Sequence, residues 1–146
     1  MKKITFLLIL SVLIFAATPS FASEWITVFD DGHSRISVDN DRIIDDGSTF
    51  TVFLKWQIFD EKMKKLFSKG LKDTIDYSLC ERVYYFDIAS AKDKDTTYYN
   101  AKSEIVAKER FRNEWQQYPA ESLGEIVWQY CRTIVAAKRI VRNGLL

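Results

Sequence analysis

From Phe50 to Ile58 every even position is apolar (Phe50, Val52, Leu54, Trp56 and Ile58), with Thr51, Lys55 and Gln57 set between them. Successive side chains of a strand point to opposite sides. A period of two therefore marks a strand that lays one face on a core. This segment commits the chain to a sheet, and its neighbours must supply the other strands. Glu24–Phe29 reads as a first strand, closed by the turn signal Asp30-Asp31-Gly32. Ser34–Asp39 alternates Ile36 and Val38 with polar residues and gives a second, short strand.

Downstream, Ile75–Ile88 is rich in Tyr, Val and Phe, and here both parities are apolar. Cys80, Tyr84, Phe86 and Ile88 fall on one side, and Tyr77, Leu79, Val83 and Tyr85 on the other. A strand of that kind is central and covered on both faces. Between the two long strands, Glu61–Lys72 is strongly charged, and it reads as a long mobile connection with one helical turn. Ala89–Asp95 reads as a charged turn region, and Thr96–Tyr99 and Ser103–Lys108 as further strands.

The last element is a helix. Ser122-Leu123-Gly124-Glu125 has the spacing of a capping box, and Leu123, Val127, Tyr130, Cys131 and Ile134 then share one helical face. Arg132, Lys138, Arg139 and Arg142 gather toward its C-terminal end, where the helix dipole favours cations, and Asn143-Gly144 closes it. The expected fold is α+β, an antiparallel sheet with one C-terminal helix.

The amino end predicts the compartment. Met1-Lys2-Lys3 is a short cationic start, Ile4–Ala17 is apolar apart from Thr5 and Ser11, and Ser20-Phe21-Ala22 presents small residues at a cleavage site. The apolar run is shorter than the roughly 20 residues of a permanent span. Residues 1–22 are therefore expected to be a cleaved signal peptide, and residues 23–146 a single exported domain, periplasmic or at the cell surface. Cleavage would remove two of the 21 basic residues and leave 19 against 20 acidic ones. So even a balance lacks the basic excess of a nucleic-acid binder. No later stretch is apolar enough for stable membrane insertion, although the basic helix end has the mixed character of an interfacial helix.

Cys80 and Cys131 are the two cysteines of the chain. In an oxidising compartment two lone cysteines pair. A bond closing about 52 residues would contribute on the order of 4 kcal/mol. It would also tether the helix to the strand that carries Cys80.

Trp25, the stretch Val38-Asp39 to Ile43, the strand Phe50–Trp56, Cys80, and the run Trp115, Tyr118-Pro119, Ser122, Glu125 and Cys131 together form a pattern. Over Trp25–Arg132 this pattern resembles the surface-adhesin protein E family. The resemblance implies an antiparallel sheet with a C-terminal helix held to it by a disulfide. It also implies a non-catalytic role in binding host matrix and serum proteins. It carries no catalytic residues.

The residues themselves specify no reaction. Gly-x-Ser-x-Gly is absent, and the single imidazole, His33, lies in a turn. The carboxylates Asp30, Asp31, Asp39, Asp41, Asp45 and Asp46 cluster near turns. Ile43 and Ile44 stand where a calcium loop needs an acid and a glycine, so the clusters read as local backbone caps and no metal or cofactor is expected. One helix covers one sheet face, so Phe53, Val83 and Tyr85 on the opposite face need another cover. Either other segments of the fold supply it, or a protein partner or second copy of the chain does. The expected function is an exported binding module; the alternative is a periplasmic structural or accessory protein with no external ligand.

Overall fold

The computed structural model describes residues 23–110 and 114–144; the expected signal peptide lies outside them. The chain runs β1 (Trp25–Asp30), β2 (Ser34–Asp39), β3 (Ile44–Asp45), β4 (Thr49–Ile58), α1 (Glu61–Phe67), β5 (Tyr77–Tyr85), β6 (Ser90–Tyr99), β7 (Ile105–Arg110), β8 (Gln116–Gln117) and α2 (Leu123–Arg142). The strands form one sheet in the order β1-β2-β4-β5-β6-β7, with β3 against β4 and β8 against β6. Every pairing is antiparallel. The α+β class and the C-terminal helix expected from the sequence are thus present.

Register fixes the two faces. Leu54 stands opposite Cys80, Phe50 opposite Tyr84, and Val38 opposite Leu54, so the even residues of β4 share a face with Cys80, Arg82 and Tyr84. Helix α2 packs on this face. Its Val127, Trp128, Cys131 and Val135 join Val38, Phe50, Val52, Leu54, Tyr84 and Ala91 in one buried cluster. Burying each large apolar side chain of this set contributes roughly 1.5–3 kcal/mol. The Trp128 indole also donates to the Tyr85 carbonyl at 2.8 Å, and Arg132 donates to the Phe86 carbonyl at 2.9 Å.

Those two bonds explain a correction. Cys80 and Cys131 are free thiols, and no disulfide tethers α2 to the sheet. The helical turn that carries Cys131 is anchored at Tyr85 and Phe86, while Cys80 lies five residues back along β5. Packing and hydrogen bonds, with an ion-paired clamp at the far end of the helix, hold α2 in place. The buried stripe is also rotated from the expected one. Trp128 and Val135 are buried, whereas Leu123 is 36% exposed, because the Trp128 indole turns toward the sheet.

Two segments differ from their expected form. Glu61–Phe67 is a helix, because the Asp60 carboxylate accepts from the N–H groups of Lys62 and Met63 and the Lys64 ammonium reaches Asp76 at 2.8 Å. The supposed turn Ala89–Asp95 lies almost wholly in β6. Its charges find partners across the sheet, Asp93 with Arg82 and Lys94 with Glu81, around a bulge at Glu81/Arg82. The helix start does follow the sequence reading. Ser122 caps α2 by accepting from the N–H of Glu125, and the Glu125 carboxylate returns to the N–H of Glu121. Gly124 is required there, because a Cβ would fall inside the Tyr118 ring.

Candidate functional site

The two faces of the sheet present different chemistry. On the helix-free face, Phe53 is half-buried beneath the Arg42 guanidinium, 4.1 Å from its ring centre. Arg42 is fixed there by Asp39, whose side chain is fully buried and accepts from Arg42 at 2.7 Å. Burial alone would raise the Asp39 carboxyl, but hydrogen bonds from Arg42, Ser23 and the Asp41 backbone outweigh it and hold the group below its ordinary value. Val83 is buried between its register partners Thr51 and Lys92. Tyr85 is stacked on Trp115 at 3.9 Å, with the Lys92 ammonium 5.0 Å from the Trp115 ring. Tyr77 and Tyr99, register partners, stack at 4.8 Å with Lys55 over Tyr77.

The sequence-derived trio of Phe53, Val83 and Tyr85 therefore does share one face. Among the described residues its cover comes from side chains of the chain itself. Arg42, Lys55, Lys92 and Trp115 were missed by the sequence reading. Only their spacing around turns and strand ends hinted at them, and that spacing does not reveal which ring each one covers. The resulting surface is aromatic and topped by cations, with a shallow depression of about 240 Å³ beside Trp25, Arg42, Phe53 and Glu81.

The helix side carries a groove. Helix α2 covers the sheet at its Phe50/Tyr84 end, and α1 sets Phe67 edge-on against Trp56 at 5.1 Å. Between them a groove of about 220 Å³ is lined by Ile36, Leu54, Trp56, Ser78, Cys80, Arg82, Asp93, Thr96 and Tyr98. Arg82 uses Nε and Nη2 on the two oxygens of Asp93. Burial works against the Arg82 charge, yet these bonds outweigh it and keep the guanidinium above its ordinary range. Burial pushes the Cys80 thiol up to about 11, so it is a protonated, weak nucleophile at neutral pH. Burial and a hydrogen bond to Glu109 likewise push the Tyr98 hydroxyl up.

Elsewhere the turn carboxylates serve the backbone, as the sequence suggested. Asp30 accepts from the Gly32 N–H, Asp31 from His33 and Ser34, and Asp45 from Gly47. His33 is 68% exposed, with Asp60 as its nearest acid at 3.4 Å. Among the described residues no three His, Cys, Asp or Glu side chains converge as a metal site would require, and no helix is long and apolar enough to cross a membrane. The basic end of α2 is occupied within the fold. Arg139 and Arg142 grip Asp45, and the Lys138 ammonium donates to the Asn40 carbonyl. Comparison with family models, curated proteins and solved structures finds no match.

Proposed function

We propose that this chain is an exported, non-catalytic binding module whose helix-free sheet face engages a protein partner, in the manner of the surface-adhesin protein E family it resembles. One observation carries this reading: among the described residues, the aromatic side chains of that face are held in stacked and cation–ring contacts by side chains of Arg42, Lys55, Lys92 and Trp115. Aromatic residues and arginine are the side chains that concentrate binding energy at protein interfaces. Holding them rigid in the free protein lowers the entropy lost on association. The ionisable groups of the groove support a binding role over catalysis, since Arg82 and Asp93 neutralise each other and Cys80 is held protonated.

The test is capture of extracellular-matrix and serum proteins by the immobilised mature chain, wild type against Phe53→Ser and Trp115→Ala. Each substitution should weaken capture at least about tenfold, the cost of losing one interface anchor. Sedimentation of the same samples distinguishes a foreign partner from a second copy of the chain. Capture unchanged in both variants, with the fold intact, would overturn the assignment of the face.

A further inference from the structure

We propose that the groove between α1 and α2 is a second binding site, for a single neutral sugar ring. It lies on the opposite side of the sheet from the surface discussed above and does not depend on that reading. Its volume of about 220 Å³ is below the ~300–1,000 Å³ of pockets for drug-sized ligands, and suits one ring. Its charge argues for a neutral guest, because the one cation in the lining, Arg82, is neutralised by Asp93 in a paired contact. An anion would have to displace Asp93, and a cation would meet Arg82.

The lining is mostly apolar, with a few polar groups set into it. Each Asp93 oxygen takes one bond from Arg82 and keeps acceptor capacity for a second. Ser78 and Thr96 stand opposite one another's strand neighbours across β5 and β6 and bring hydroxyls to the same floor. Trp56, Ile36 and Leu54 provide the apolar surface against which the C–H face of a sugar packs. A planar aromatic wall beside a fixed array of donors and acceptors suits a molecule with an apolar ring face and a rim of hydroxyls.

The experiment is an NMR titration of the mature chain, reading the backbone amide resonances of Cys80, Arg82 and Thr96 in the groove lining, with a panel of free neutral monosaccharides and with inorganic phosphate as the charged comparison. The expected result is a saturable shift with at least one neutral sugar and none with phosphate. Ser78→Ala and Trp56→Leu should each weaken that binding about tenfold, the loss expected for one hydrogen bond or one stacked ring. An unmoved Trp128 indole resonance, which reports the bond to Tyr85, shows that the variants are folded. A second arm offers the same ring at the end of immobilised oligosaccharides. Capture there assigns the ligand to glycan ends, and its absence to free sugar. No shift with any neutral sugar, a shift with phosphate, or full binding by folded variants would overturn the proposal. No macromolecule enters the titration, so failure here leaves the helix-free face untouched.

Discussion

At the scale of single residues, the cysteines carry the sharpest expectation. Cys131 is fully buried in the core and burial pushes its thiol up to about 12, while Cys80 reaches about 11. At pH 8 that leaves roughly one thiolate in a thousand or fewer, and the thiolate is the reactive form. A maleimide or haloacetamide should therefore modify the folded protein at least about a hundredfold more slowly than an exposed cysteine. In urea without reductant, both residues should label and the mass should rise by two adducts. Failure to label in urea would mean that the two are bonded. The reason for expecting thiols even in an oxidising compartment is positional, because the Trp128 and Arg132 bonds anchor the Cys131 turn at Tyr85 and Phe86, where β5 ends, while Cys80 lies near the middle of that strand.

At the scale of elements, α2 is fastened at its far end by a clamp. Arg139 meets Asp45 at 2.6 Å and Arg142 meets it at 2.5 Å, joining the last turns of the helix to the β3 hairpin. The Arg139 hydrogen bonds hold the Asp45 carboxyl well below the usual carboxylate range, against the opposing effect of burial, with help from the Gly47 N–H and Arg142. A carboxyl depressed in the folded state contributes stability that is fully present above its unfolded value, near pH 4, and is lost as pH falls through the folded one. Asp45→Asn should cost about 1–2 kcal/mol at pH 7, with Arg142 adding little because it is largely exposed. In urea melts at descending pH, the gap between wild type and variant should narrow below about pH 4. A gap that stays constant into acid would show that the clamp does not stabilise the fold.

Element by element, the sequence was informative where burial follows one period. The alternation of Phe50–Ile58 and the double-sided pattern of Ile75–Ile88 both correspond to strands, and the Ser122–Glu125 spacing does mark the start of a helix. It misled where long-range pairing overrides local composition. Lys92, Asp93, Lys94 and Asp95 read as a turn because four charges in a row suggest solvent, yet β5 supplies Arg82 and Glu81 to receive them. The same blindness hid Trp128. Helical spacing places it beside the expected stripe, and only the acceptor at Tyr85 draws it inward.

For the molecule as a whole, the two faces of the sheet present different chemistry, and the sequence pointed to one of them. Phe53, Val83 and Tyr85 were legible as a set because parity alone puts them together. Their cover was not, because Arg42 and Trp115 lie outside those strands. The groove was not legible either, since Trp56, Arg82 and Asp93 come from three strands whose register no local pattern states. The central claim is that this is an exported chain presenting a binding face outside the cell, and protease shaving of intact producing cells tests it most directly, with intact mass as the readout. The predicted result is a mature chain beginning at Ser23, carrying both cysteines as thiols and removed by protease added outside. A chain that keeps Met1, or one fully protected until the envelope is opened, would contradict it.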